Sequence, residues 1–140
     1  MSTIKQFWID NNSNNSGNVF QRGSSDATHH TYNLNVDNYT LTTNVTSDSG
    51  DGHVNTIKIP SGKTLTIASG QTLTIASGDR LIIASGGTLT NNGTIVNMGT
   101  LTATGTLTNN GTILDKNSSG EYTIDSTNGG TSQTLNGDLT

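Results

Sequence analysis

The sequence predicts an all-β chain, either a β-solenoid or an intertwined trimeric β-helix built on 8- and then 6-residue repeats, preceded by a small N-terminal β region. Three observations predict it. The first is the repeat itself: octads begin at Ser61, Ser69 and Ser77 and pass through Ser85-Gly86 into hexads beginning at Gly87, Gly93, Gly99, Gly105 and Gly111. The second is parity. A strand sends successive side chains to opposite faces, so a repeat of even length keeps its facing. Leu65, Ile67, Leu73, Ile75, Leu81, Ile83, Leu89, Ile95, Leu101, Leu107 and Ile113 all fall on odd numbers, and nearly all threonines of the stretch fall on even ones. A helix would need apolar residues three and four apart, and the segment never supplies them. The third is composition, with 26 Thr, 18 Asn and 15 Ser but only 11% charged residues and a net charge of −4. Disordered chains carry high net charge and few β-branched residues, so this polarity points to ordered β-structure.

The elements follow in chain order. Residues 1–56 form an N-terminal β docking region, 57–116 a β-helical stalk and 117–140 a C-terminal strand with a tail or cap. Ile4–Ile9 is an apolar strand candidate, followed by a polar loop over 10–18 and then Val19-Phe20. Residues 31–37 alternate with Tyr32, Leu34 and Val36 on one face, and 39–45 continue with Tyr39, Leu41 and Val45. Ser47–His53 reads as a hinge, and Pro60 marks entry to the repeats. Gly62, Gly70, Gly78, Gly86, Gly93, Gly99, Gly105 and Gly111 mark the turns, where glycine permits positive φ or close backbone approach. Asn-Asn-Gly at 91–93 and 109–111 is strong turn material. After Lys116 come a turn and a last strand over 121–125.

Several chemistries are poorly supplied. No basic stripe exists for nucleic acid, no polybasic patch for lipid, and no cysteine for a disulfide or thiolate site. Asp48, Asp51 and His53 could form a cation loop, but their spacing fits no calcium pattern and a solvated turn accounts for them. His29 and His30 with Asp26 are a weaker metal candidate, because adjacent strand residues point apart. No Gly-x-Ser-x-Gly elbow is present, and Asp79 and Asp115 are the only carboxylates of the repeat available to pair. No catalytic, cofactor or metal residue is therefore assigned, and the chain is expected not to be an enzyme.

The octads, with Ala68-Ser69-Gly70, Ala76-Ser77-Gly78 and Ala84-Ser85-Gly86 at the motif positions, resemble the Val-x-Gly-plus-five repeats of β-helical needles and stalks of tailed bacteriophages. Ala stands where that pattern has Val. The hexads Gly-Thr-Leu-Thr-Asn-Asn and Gly-Thr-Ile-Val-Asn-Met are similar to repeats of phage fibres, spikes and capsid decoration proteins, and of microbial adhesins. That resemblance implies a non-enzymatic virion structural protein, located in the virion. Its partners would be further copies of itself, as a trimer, and other capsid or tail proteins, with no nucleic acid or membrane. Trimerisation is also expected because the inward aliphatics of one chain are few beside the entropy cost of ordering it. Read from Met1, the start has no apolar core of signal-peptide length. Phe7, Trp8, Phe20, Tyr32 and Tyr39 are the docking candidates. The alternative is a cell-surface filament or adhesin module. A third reading is an ice-binding solenoid, suggested by five Thr-x-Thr pairs but interrupted in sequence by Arg80/Ile82 and Val96/Met98.

Overall fold

The computed structural model describes residues 2–4, 19–25, 28–48, 50, 52–116 and 122–123. Its strands are β1 (Ser2–Thr3), β2 (Phe20–Ser25), β3 (His29–Leu34), β4 (Asn38–Leu41), β5 (Val45–Thr46), β6 (Val54–Ile59), β7 (Thr64–Ile67), β8 (Thr72–Ile75), β9 (Arg80–Ile83), β10 (Thr88–Asn91), β11 (Thr94–Asn97), β12 (Thr100–Ala103), β13 (Thr106–Asn109), β14 (Thr112–Lys116) and β15 (Tyr122–Thr123). From β3 to β14 the chain winds as a β-solenoid, and every third strand stacks on its predecessor in parallel. The result is three sheets, ordered β1-β5-β8-β11-β14-β15, β13-β10-β7-β4 and β12-β9-β6-β3-β2. They are called here the A, C and B faces. Two antiparallel strands interrupt the parallel winding: β2 on β3 at one end and β15 on β14 at the other.

The coil is wound by one chain. Leu65, Ile67, Ile75, Leu81, Ile83, Leu89, Ile95 and Leu107 are wholly buried, and Leu73, Leu101 and Ile113 are exposed by no more than 4%. Parallel pairing stacks like on like, with Leu65, Leu89 and Leu107 in one column and Leu73, Ile95 and Ile113 in another. A third column runs Tyr32, Ile57, Leu81, Leu101. Burial of this kind contributes about 2 kcal/mol per side chain. Covering the aliphatics requires no second chain.

The switch of period is a change of corner, not of strand. β7 and β10 both contain four residues. On the C face the step between stacked strands is 26 residues from Asn38 to Thr64, then 24 to Thr88, then 18 to Thr106. Three octads therefore make one coil and three hexads the next. An octad corner is a four-residue β-turn, as where Gln71 N–H donates to Ala68 C=O at 3.0 Å and Asp79 N–H to Ala76 C=O at 2.9 Å. Gly70 and Gly78 take φ of +82° and +86° there, the left-handed region that glycine enters without penalty.

A hexad corner has only two residues outside the strands. Where Asn precedes the corner its side chain completes it, with Asn91 Oδ1 accepting from Gly93 N–H at 3.1 Å and Asn97 Oδ1 from Gly99 N–H at 3.1 Å. This local bond imitates a backbone turn. The shortened corner lies against the longer one beneath: Asn92 N–H donates to Ile67 C=O and Thr94 N–H to Gln71 C=O, both at 2.9 Å. Gly93 sits directly over the carbonyls of Ala68 and Gln71, where a Cβ would collide with backbone oxygen.

The first coil lacks the repeat yet belongs to the same stack. β3, β4 and β5 pair in parallel with β6, β7 and β8. The described strand β1 covers Ser2–Thr3, ahead of the apolar strand expected over 4–9; Ile4 follows it and is buried in the core, and residues 5–9 lie outside the described residues. Of the tail, β15 is described.

Candidate functional site

Outward positions differ from face to face, because stacking every third strand sorts the sequence into three separate surfaces. On the C face two straight columns run Asn38–Thr64–Thr88–Thr106 and Thr40–Thr66–Thr90–Thr108. Seven of those eight side chains are threonine. The A face carries Thr72, Thr94 and Thr112 in one column but Thr46, Thr74, Val96 and Leu114 in the other. Met98, beside it, is 37% exposed. The B face carries Thr56, Arg80 and Thr100 beside Lys58, Ile82 and Thr102.

At one corner a polar network is buried. Asp79 is 5% exposed; its Oδ2 accepts from Ser47 Oγ–H at 2.6 Å and its Oδ1 from Asn55 N–H at 2.9 Å. Ser47 Oγ in turn accepts from Ala76 N–H at 2.8 Å, and Asn55 Nδ2–H donates to Ser47 C=O at 3.0 Å. These bonds tie the Ser47–His53 segment, read from sequence as a hinge, to the corner between β8 and β9 at its first residue. Both oxygens of Asp79 are engaged in holding this corner, and the side chain of Asp115 lies outside the described residues.

Around β3 the His30 ring, 6% exposed, stacks on His53 with centroids 3.9 Å apart and planes at 15°, while Tyr32 meets His30 edge-on at 6.2 Å. His29 faces outward and its Nδ1 lies 2.7 Å from Thr28 Oγ1. Asp48 Oδ1 accepts from Gly50 N–H at 2.9 Å, a local turn bond. Asp26 and Asp51 lie outside the described residues. Among the described residues no group of three or more His, Asp or Glu side chains could hold a metal ion.

No family model matches the chain, and neither does any curated protein or solved structure. The surface has to be interpreted from its own chemistry.

Two docking candidates need correcting. Phe20 and Tyr32 are both 0% exposed, core side chains that close the first coil, and a side chain covered by its own protein is not a contact for a partner. Tyr39 is partly buried and packs against the same core. Phe7 and Trp8 lie outside the described residues. The turn glycines Gly62, Gly70, Gly78 and Gly86 are at positive φ, while Gly93, Gly99, Gly105 and Gly111 are held by contact with carbonyls of the coil below.

Proposed function

We propose that the chain is a non-enzymatic structural protein of a virion, a capsid-decoration or tail-fibre component whose solenoid acts as a stiff spacer. The observation that carries this reading is the use made of the inward polar groups. Asn91 Nδ2–H donates to Asn109 Oδ1 and Thr112 C=O at 2.9 Å, Asn97 caps Gly99, and Asp79 and Ser47 hold one corner. Each of these groups is spent on closing a corner or on holding coils together, which serves stiffness rather than turnover. The style of the octads and hexads supports the virion assignment.

Docking in this reading falls to Phe7 and Trp8 and to the A and B faces, since Phe20 and Tyr32 are enclosed. Several chains associate side by side, as a trimer, rather than by sharing a core. Sedimentation equilibrium of the purified chain, with electron microscopy of the same sample, tests this. A discrete trimer supports the virion appendage. Open-ended fibres would instead favour the surface filament or adhesin, and a monomer at every concentration overturns the oligomeric stalk.

A further inference from the structure

We infer that the C face is an ice-binding surface, a function separate from the spacer role and independent of it. In sequence the Thr-x-Thr rows are broken by Arg80/Ile82 and Val96/Met98. In the solenoid Arg80 and Ile82 lie on the B face, and Val96 lies on the A face with Met98 at the corner that follows. The C face keeps Thr64/Thr66, Thr88/Thr90 and Thr106/Thr108 in unbroken register, with Asn38/Thr40 as a fourth row.

The outward positions of the C face form a small two-dimensional array. Neighbouring strands are about 4.8 Å apart and alternate residues along a strand roughly 6.6 Å apart, so the hydroxyls repeat in two dimensions at spacings fixed by the backbone ladder. A face of an ice crystal repeats in two dimensions in the same way. Thr64, Thr66, Thr88, Thr90, Thr106 and Thr108 are half-buried by their lateral neighbours, and a β-branched side chain so crowded keeps few rotamers. Each offers one methyl and one hydroxyl, enough to hold a water in place without the strong hydration of a charge. None of the eight positions is charged. The ion pair of Lys63 with Asp37, at 2.8 Å, stands at the margin, where both residues precede their strands.

The same features disfavour other occupants. Protein contacts concentrate their energy in aromatic and Arg anchors, and polysaccharide surfaces are gripped by exposed aromatic rings; the two columns contain neither. A ligand that is periodic in two dimensions and offers only hydrogen-bonding water suits a face that is itself periodic.

The test is growth of a single ice crystal in a solution of the full chain, watched as the temperature is lowered below the melting point. The wild-type protein should facet the crystal and hold its growth. Thr66→Tyr should abolish both effects while leaving the circular dichroism spectrum unchanged, because the ring projects away from the core. Thr90→Lys, also outward, is the second variant should the first fail to fold. Thr74→Tyr, on the A face, should keep full activity. Round, freely growing crystals with folded wild-type protein would overturn the inference, as would equal loss in the A-face variant. Retention on crystalline cellulose without any effect on ice would assign the face to a polysaccharide instead.

Discussion

Glycine occurs at every corner of the repeats for two unrelated reasons, and substitution separates them. At Gly70 the backbone takes φ +82° with open space where a Cβ would stand. Gly70→Ala should cost about 1–2 kcal/mol for the left-handed conformation, and Gly70→Asn less, since asparagine visits that region more readily. At Gly93 a Cβ would strike the carbonyl oxygens of Gln71 and Ala68. Gly93→Ala and Gly93→Asn should therefore be equally damaging, at about 3 kcal/mol or more, because the coils must part to admit either side chain. Denaturant unfolding of the four variants checks this, and rescue of Gly93 by asparagine would refute it. A second residue-scale effect concerns Asp37, whose carboxyl is held below the ordinary carboxylate range by the hydrogen bond from Lys63 and then by the Lys63 charge. A lowered folded-state pKa stabilises the fold above the unfolded value and stops doing so as pH falls through the folded value. Lys63→Met should move the Asp37 titration upward toward its usual range in an NMR pH series. The pair is solvent-exposed, so added salt should produce part of the same shift.

At the scale of strands and corners, the solenoid tolerates changes that preserve parity. Octad and hexad coils share four-residue strands and differ by two residues per corner, so two added residues leave every Leu and Ile facing inward. Inserting Ser-Gly between Asn92 and Gly93 should keep the far-ultraviolet β signal with modest loss of stability. One glycine inserted after Leu89 should invert the remainder of β10 and leave β11 out of step, exposing inward side chains to protease. Limited proteolysis of the two insertions decides the point. The same parity explains what was legible in the sequence. The inward facing of Leu65 and Leu73 follows directly from even spacing. The inward positions of Asn91, Asn97 and Asn109 follow from the same rule, for all three numbers are odd, but polarity disguised them as ordinary turn residues. Asp79 could not have been found that way: it occupies the slot after Gly that holds Lys63 and Gln71 in the other octads, and only the return of Ser47 and Asn55 to that corner buries it. The first coil was hidden because its corners vary in length, so β3, β4 and β5 have no common period although they stack in register. Nor does a linear repeat state how many strands close a turn, and without that number the Thr rows could not be sorted into faces.

For the whole molecule, a stack in which each coil touches only its neighbours should lose stability one layer at a time. Its ends are unequal. β2 and β3 with β6 bring Phe20, Tyr32 and Leu34 into the core, the bulkiest burial among the described residues. The other end relies on smaller side chains, Ala103 above Ile83 and Asn109 above Asn91. Amide hydrogen exchange should therefore be slowest in β6 to β9, which have a coil on either side, and faster in β12 and β13, which end their sheets among the described strands. Ending the chain after Asn97 should leave a folded remainder with the same β signal per residue, because β6 to β11 keep their pairing with one another and with the aromatic first coil. Starting it at Val54 should instead open the edges of β6, β7 and β8 and also remove Phe20, Tyr32 and Leu34 from the core, yielding aggregates on size-exclusion chromatography. Equal behaviour of the two truncations would mean that the aromatic first coil is a passenger on the repeats, rather than the layer on which they are wound.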